Sequence, residues 1–268
     1  MMRLVFALLL FALPVQAGEG EAWESIRYQL YGDRALLDGA GVIAVDAPYR
    51  TDNDSRTRIA ANVAAPAGVR IGKVSVVLDE NPMPVSAVFD LSEPQTRFFF
   101  DVTLRINGPT PMHVLAETTD GRVFVSEGFV KTSGQGACAA PPGTDPDEAL
   151  ATLGNMMLSV EEGVTGSVSD RLAGLADRLK RLDVDISHPS HSGMQMDQIT
   201  LLFIPMRYVQ DVQIDLDGGG YVDVTGSISL AENPRLGLSV PGTARRVDVT
   251  MTDTSGTVST AHKDLAGY

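Results

Sequence analysis

Cysteine is almost absent from this sequence, because Cys138 is the only one among 268 residues. A disulfide within one chain is therefore excluded, and so is a zinc site built on Cys-x-x-Cys motifs. The sequence also lacks a Ser-His-Asp arrangement and a glycine-rich phosphate-binding loop. It therefore contains none of the motifs that identify common hydrolases and nucleotide-binding enzymes.

Positive charge is also scarce, with 21 Lys and Arg residues against 34 Asp and Glu residues and a formal net charge of −13. A chain this acidic repels the phosphate backbone of nucleic acids, so we predict no nucleic-acid partner. After Leu13, no apolar run reaches the roughly twenty residues that cross a bilayer, so we predict no membrane insertion.

Residues 1–17 have the order of a secretory signal peptide. Arg3 precedes an apolar run at residues 4–13, and Pro14-Val-Gln-Ala17 places small residues before a cleavage site. A single arginine favours the general secretory route over the twin-arginine route. We therefore predict a mature chain that begins near Gly18 and is located in the periplasm.

Apolar and polar residues alternate in a first β block, at residues 41–132. Val102, Leu104 and Ile106 alternate with polar neighbours such as Arg105, which is typical of a half-buried strand. The predicted strands cover residues 58–64, 73–79, 98–106, 112–118 and 122–132, and a short helix at residues 22–31 precedes them.

A second β block, at residues 183–268, has the same kind of pattern. Its predicted strands cover residues 198–204, 208–216, 221–229, 236–240, 245–252 and 257–265. Asp- and Gly-containing turns at residues 119–122, 217–220 and 253–256 predict hairpins in both blocks. Glu80-Asn-Pro82 recurs as Glu232-Asn-Pro234, so the blocks also echo each other. These patterns predict two antiparallel β-sandwiches.

The segment between the blocks predicts two helices. Asp145-Pro-Asp-Glu148 suits a helix N-terminus, and we expect this helix to end near Leu158. Ser169 or Asp170 is the predicted cap of a second helix. Its apolar face comprises Leu172, Leu175, Leu179 and Leu182, which we expect to pack against a sandwich.

Cys138 is the residue with the clearest chemical potential. Its neighbours are glycine, alanine and proline, which supply backbone freedom and no core-forming surface, so we predict a solvent-exposed thiol on a mobile arm. The alternative for a lone cysteine is a buried residue without a chemical role. A catalytic thiol needs a base or cation that lowers its pKa, and Lys131, the nearest cation in sequence, stands seven residues away. An arm without a fixed pocket can instead carry a covalent group between other proteins. We therefore interpret the chain as a carrier and not as an enzyme.

A second candidate site lies in the second block and consists of His188, His191, Met194 and Met196. Imidazole and thioether groups suit copper, so these residues form a candidate copper site. The alternative interpretation is a loop that enters a sandwich, in which His188-Pro189 ends a strand.

The order of these motifs resembles that of SoxYZ, the periplasmic carrier of sulfur compounds, with its two subunits fused into one chain. The SoxY-like part contains Leu78-Asp-Glu-Asn-Pro82, the strand at residues 98–106 and Ala116-Glu-Thr-Thr-Asp-Gly121. The SoxZ-like part contains Ile186-Ser-His-Pro189, Ser229-Leu-Ala-Glu-Asn-Pro234 and Val249-Thr-Met-Thr-Asp-Thr-Ser-Gly256. More closely, the chain is similar to the SoxYZ-like fusion proteins associated with quinoprotein dehydrogenases.

This resemblance implies an all-β fold of two immunoglobulin-like sandwiches joined by a partly helical linker. The implied domains are a SoxY-like sandwich at residues 18–132, the cysteine arm and helical linker at residues 133–182, and a SoxZ-like sandwich at residues 183–268.

The resemblance also implies a function. Cys138 becomes the attachment point of a covalent sulfur-containing intermediate, with no other cofactor, and Gly134 and Gly136 make the arm flexible. The implied partners are periplasmic redox enzymes, either sulfur-oxidising enzymes or a quinoprotein dehydrogenase or cytochrome. Unlike the free SoxY tail, this arm is internal and must enter a partner as a loop. Two alternatives remain: a non-catalytic docking module for such a dehydrogenase or cytochrome, and a copper-binding accessory protein.

Overall fold

The computed structural model describes residues 21–134, 136–162 and 179–265, and the predicted signal peptide lies outside them. No helix among the described residues is long and apolar enough to cross a membrane. Two sheets contain the named strands, so the all-β prediction is confirmed.

The first half begins with helix α1, Glu21–Tyr31. Its strands are β1 (Leu36–Asp38), β2 (Ile43–Asp46), β3 (Thr57–Ala64), β4 (Ile71–Leu78), β5 (Val85–Gln95), β6 (Arg97–Leu104), β7 (Thr110–Thr118) and β8 (Val123–Val130). The second half comprises helix α2 (Pro146–Ala151), β9 (Met156–Glu162), β10 (Leu179–Ile186), β11 (Val209–Leu216), β12 (Gly219–Gly226), β13 (Arg235–Pro241), β14 (Arg246–Asp253) and β15 (Val258–Asp264).

Each half is a two-layered β-sandwich, and both sheets continue from one half into the other. The nine-stranded sheet has the order β1-β8-β7-β4-β5-β12-β11-β14-β15, and the six-stranded sheet has the order β2-β3-β6-β13-β10-β9. The junctions are the antiparallel pairs β5–β12, with Phe89 opposite Val224, and β6–β13, with Phe100 opposite Leu238. The two sandwiches therefore share their sheets edge to edge, and the described residues from Arg34 onward form one compact unit.

The alternation seen in the sequence explains which side chains fill the space between the sheets. In β14, Val247, Val249 and Met251 are fully buried, as their spacing of two predicts. The core continues across both halves. Within the first half, the rings of Phe89 and Phe100 pack in a tilted arrangement at a centroid distance of 4.7 Å.

The predicted hairpin turns are confirmed. Gly121, Gly218 and Gly256 adopt φ values of +85°, +83° and +82° between consecutive strands. This left-handed backbone is open to glycine and strained for most other residues, which is why Asp- and Gly-containing pairs mark such turns.

The linker predictions were partly wrong. Asp145 caps helix α2, because its side chain accepts hydrogen bonds from the backbone N–H groups of Asp147 and Glu148. The helix ends at Ala151 and not near Leu158, and Gly154, at φ +79°, leads the chain into strand β9. Tertiary pairing of β9 with β10 overrides the local helical pattern.

The prediction of a second helix was wrong for its last residues, which the structure describes from Leu179 onward. Residues 169–178 lie outside the described part, but Leu179 and Leu182 belong to strand β10. Leu182, Val184 and Ile186 are buried at intervals of two, which is the period of a strand. The linker predicted at residues 133–182 therefore contains β9 and the start of β10, and its boundary falls within a strand.

One predicted strand is a loop. Residues 198–204 carry the exposed side chains of Ile199, Leu201, Leu202 and Phe203, with Ile199 91% exposed. Their apolar character predicted a buried strand. The described chain instead turns at residues 198–200 and pairs only at the isolated bridge of Met196 with Phe203. We refer to residues 196–206 as the apolar loop.

Candidate functional site

Cys138 is fully buried, so the prediction of a solvent-exposed thiol was wrong. It lies in a short turn in which the backbone N–H of Ala139 donates to the carbonyl of Gly136 at 3.0 Å. Ala137 is buried beside it, whereas Ala139 is exposed. The small neighbours that suggested a free arm instead allow this turn to lie close against the sheets.

Gly134 and Gly136, predicted to make the arm flexible, have φ values of +86° and +68°. Both are left-handed conformations that glycine adopts without strain. The glycines therefore shape the path by which the chain reaches Cys138. Their contribution to arm movement stays a prediction.

Hydrogen bonds from both halves of the protein hold the cysteine arm, residues 133–144. The N–H of Cys138 donates to Asn107 Oδ1 at 3.3 Å, and its carbonyl accepts from the Ser192 hydroxyl. Gln195 Nε2 donates to the carbonyl of Ala140 at 2.9 Å. Asn107 belongs to the first half and the other two residues to the second, so the arm is clamped between them.

The carboxylate of Glu232 holds the end of the arm. Its two oxygens accept the N–H groups of Gly143 and Thr144, each at 2.8 Å. Arg56, from the first half, donates to the carbonyls of Glu232 and Asn233 at 2.7 and 2.9 Å. The loop that carries Glu232 is therefore tied to the opposite half.

The repeated Glu-Asn-Pro motif explains how the surrounding loops are positioned. In the first copy, Asn81 donates to the carbonyl of Arg105 at 2.8 Å and accepts from the N–H of Asn107 at 2.9 Å. In the second copy, Asn233 accepts from the N–H of His188 at 2.9 Å. The two asparagines therefore fix the two loops that contact the cysteine arm.

Arg105 is a buried cation beside this turn, with 2% of its surface exposed. Its Nη1 donates to the carbonyls of Ser190 and Leu230 at 2.6 and 2.7 Å, and no carboxylate among the described residues forms an ion pair with it. Burial lowers its pKa, an effect that negative charge on Cys138 and Glu232 opposes.

The thiol responds to the same surroundings. Burial raises the pKa of Cys138, and the positive charge of Arg105 counteracts that rise. The sequence had suggested no cation near the thiol, because Arg105 lies 33 positions earlier in the chain (138 minus 105). Arg105 was interpreted as a polar residue on the open face of a strand. It lies instead just beyond the end of β6 and is buried.

A cleft of about 370 Å³ opens next to the cysteine turn, and Arg56, Arg105, Ala137, Ala140 and Glu232 are among its lining residues. A second cleft, of about 300 Å³, lies between the arm and the apolar loop, where Pro142 and Leu150 are near Ile204 and Met206. The cysteine turn is thus flanked by a polar cleft, and the end of the arm by an apolar one.

The four residues of the candidate copper site occupy different environments. His188 is buried, its Nδ1 accepts from the N–H of Ser190 at 2.9 Å, and its Nε2 lies 3.4 Å from Asp253 Oδ2. His191 is half-buried, with its Nδ1 3.2 Å from Gln195 Oε1.

Burial lowers the pKa of His188 to about 4 and also lowers that of His191. Met194 is half-buried and Met196 is 38% exposed. Within the described ranges, no three His, Cys, Asp or Glu residues form a cluster suited to a metal ion. Both ring nitrogens of His188 contact other groups of the protein, Ser190 and Asp253, so this histidine has the environment of a buried structural residue.

Comparison with known proteins gives two consecutive family matches. Residues 27–138 match the family described as "Sulfur oxidation protein SoxY", and residues 172–264 match "Sulphur oxidation protein SoxZ". No curated protein matches the chain.

Two solved structures align with parts of the chain. The sulfur carrier protein SoxY from Chlorobium limicola f thiosulfatophilum is 16% identical, with 42% of this chain and 96% of that one covered and a TM-score of 0.36. A superoxide reductase (neelaredoxin) from Ignicoccus hospitalis is 12% identical, with 34% and 80% covered and a TM-score of 0.27.

Proposed function

Because the chain belongs to the SoxYZ family of sulfur-oxidation carriers, with a SoxY and a SoxZ domain in one polypeptide, we propose that Cys138 holds a covalent sulfur-containing group. The observation that carries this proposal is where the SoxY match ends. It extends over residues 27–138 and so ends at the only cysteine of the chain. A lone thiol at the end of a carrier domain is suited to bear a group that other proteins process.

To act as a carrier while Cys138 is buried, the protein needs two positions of the cysteine arm. A thiol with no exposed surface cannot reach a partner enzyme, so the arm must leave its clamp during each cycle. Five hydrogen bonds hold the part of the arm from Cys138 to Thr144, through Cys138, Ala140, Gly143 and Thr144. At roughly 0.5–1.5 kcal/mol each, release costs several kcal/mol, which the binding of a partner can offset. The docked position would shield the bound group, and the released position would present it.

Loading needs a redox partner. When thiosulfate joins Cys138 through a new S–S bond, the thiol loses its proton and two electrons pass to an acceptor. We propose that a sulfur-oxidising enzyme, or a quinoprotein dehydrogenase or cytochrome, takes these electrons, and that the encounter occurs in the periplasm after export. The signal-like order of residues 1–17 supports that location.

A second candidate function is a docking module in which the thiol is secondary. The exposed side chains of Ile199, Leu202 and Phe203 favour it, because contiguous exposed apolar surface is typical of protein-binding sites. A carrier also needs such a surface, so the apolar loop alone does not decide between the two functions.

Intact mass of the protein isolated from its native host tests the proposal. We expect an added mass that reductant removes and that Cys138→Ser lacks, and its value identifies the group. A bare thiol, even after incubation with thiosulfate and the redox partner, would instead favour the docking module. Partner affinity measured on Cys138→Ser completes the comparison, because a docking module keeps its affinity without the thiol.

A further inference from the structure

Arg105 is a charged side chain that forms no ion pair with a carboxylate among the described residues. It is 98% buried, and the cost of taking a guanidinium out of water is normally offset by a carboxylate or another anion. Its Nη1 donates to the carbonyls of Ser190 and Leu230, with a longer contact to Ile228 at 3.4 Å. The dipoles of these carbonyls offset part of the cost of burying the guanidinium, but its net charge of +1 remains.

The rest of the guanidinium is available to another acceptor. An arginine side chain has five N–H donors, and those of Nε and Nη2 donate to no acceptor among the described residues. Arg105 also lines the polar cleft together with Ala137 and Ala140, which flank Cys138 in the same turn. Free donors of a buried cation thus border a cleft that also borders the turn carrying Cys138.

Two groups that can carry negative charge interact with Arg105, the carboxylate of Glu232 and the thiolate form of Cys138. Both carboxylate oxygens of Glu232 already accept N–H groups of the cysteine arm, from Gly143 and Thr144. The sulfur of Cys138 forms no hydrogen bond among the described residues, since the hydrogen bonds of this residue involve only its backbone N–H and carbonyl. The position left for a counter-charge is therefore at the sulfur of Cys138.

We propose that Arg105 is a positioning residue that stabilises negative charge at Cys138 while the arm is docked, both as the thiolate and as an anionic group bound to it. This inference rests on the proposed carrier function and adds a selectivity to it. An anionic adduct, such as one that ends in a sulfonate, is held in the docked arm more firmly than a neutral adduct of the same length. Arginine is suited to bind such an oxyanion, because its guanidinium presents several N–H donors in a fixed geometry.

The rate at which dithiothreitol reduces two matched mixed disulfides on Cys138 tests this selectivity. Methanethiosulfonate reagents convert the thiolate to a 2-sulfonatoethyl or a propyl mixed disulfide, with formation of one S–S bond and loss of methanesulfinate. Dithiothreitol then reduces each disulfide, supplying two electrons and becoming a cyclic disulfide. The protection factor is the rate in the urea-unfolded protein divided by the rate in the folded protein, so intrinsic differences between the adducts cancel.

In the wild type, we expect the protection factor of the sulfonatoethyl adduct to exceed that of the propyl adduct by tenfold or more. The net charge of −13 works against this result, because it disfavours an anion near the protein. In Arg105→Gln the ratio should fall to about one, and Arg105→Lys should keep part of it. Arg70→Gln is the control, since Arg70 is an exposed arginine outside the residues that line this cleft, and it should leave the ratio unchanged.

Equal protection of both adducts in the wild type would overturn the inference, and so would an equal loss of both in Arg105→Gln, which indicates a purely structural role. If the Arg105 variants fail to fold, the inference can still be tested on the wild type alone. A 2-(trimethylammonio)ethyl adduct, which is cationic, should then have a lower protection factor than the propyl adduct. These outcomes are separate from those of the native mass measurement. A native adduct with equal protection would reject the selectivity and leave the carrier function standing.

Discussion

At the scale of single residues, the site is built from side chains that hold a backbone segment in place. Glu232 binds two N–H groups of the cysteine arm, and Gln195 binds a carbonyl of the arm. Hydrogen bonds that involve a charged group are stronger than neutral ones, so Glu232 contributes the largest share of the clamp. Docking of the arm should therefore depend on this one carboxylate more than on any neutral partner.

We expect Glu232→Gln to speed the modification of Cys138 by a neutral thiol reagent about tenfold, which corresponds to roughly 1.4 kcal/mol of lost docking energy. The amide retains one acceptor oxygen but loses the charge and the second oxygen. Alkylation kinetics at fixed pH, followed by intact mass, measure the effect. Glu80→Gln is the matched control, because Glu80 occupies the same position in the other Glu-Asn-Pro motif and its side chain is exposed. An unchanged rate in Glu232→Gln would show that the clamp depends on other contacts.

His188 determines a pH dependence of stability. Burial lowers its pKa from 6.5 to about 4 in the folded protein, whereas the unfolded chain takes up a proton near 6.5. The free energy of unfolding should therefore fall as the pH drops from 6.5 towards 4, by as much as roughly 3 kcal/mol. Above pH 6.5 this contribution is fully present.

Urea unfolding at pH 7 and pH 4.5 measures this contribution. We expect His188→Gln to be less stable than the wild type at pH 7 and to lose less stability on acidification. His262→Gln, at an exposed position of β15, serves as control and should keep the wild-type pH dependence. An unchanged pH dependence in His188→Gln would show that other groups cause the acid sensitivity.

At the scale of elements, strand β10 connects the halves through buried charges. Asp101 on β6 accepts hydrogen bonds from Arg58 of the first half and from Arg181 of β10, both at 2.7 Å. Asp101 is 1% exposed, and Arg181 lies over the ring of Phe99 at 5.2 Å. The junction between β6 and β13 is thus covered by an ion-pair network that includes residues of both halves.

We expect Asp101→Asn to lower the free energy of unfolding by about 3 kcal/mol, because the change removes one of the two buried carboxylates that pair with Arg181, the other being Asp183. Asp46→Asn is the matched control, since Asp46 pairs with the same Arg58 at 2.7 Å but is 74% exposed. Its loss should be below about 1 kcal/mol. Urea denaturation curves of the two variants measure the difference, and equal losses would contradict the role assigned to burial.

At the scale of the whole molecule, the two sheets make the SoxY and SoxZ domains a single structural unit. Both sheets run through the junction, and the apolar core is continuous beneath it. Fusion in one polypeptide keeps the two halves in one-to-one ratio. The cysteine arm depends on this arrangement, because Asn107 and Glu232, which hold it, come from different halves.

We expect the protein to unfold in one cooperative transition. Hydrogen exchange followed by mass spectrometry across a urea series should give the same midpoint for peptides from β4 and β14, which belong to different halves. Asp101→Asn should shift both midpoints equally. Two separate midpoints would show that each half is stable without the other.

The sequence by itself determined the features that depend on local spacing. Period-two alternation identified most strands, including β14, and Asp- and Gly-containing pairs located the hairpins. Asp145 marked the start of α2, and motif order identified the SoxY and SoxZ domains. These signals are visible along the chain, because each arises from residues within a few positions of one another.

Only the tertiary structure decided where the cysteine arm lies and what surrounds it. The burial of Cys138, the approach of Arg105 and the hydrogen bonds from Glu232 join residues that are far apart in sequence. Strands β9 and β10 likewise depend on tertiary pairing, because they form an antiparallel pair where the local spacing of apolar residues predicted helices. The apolar loop shows the converse, since its composition predicts burial and its side chains are exposed. Burial is a property of the assembled sheets, and no local pattern reports it.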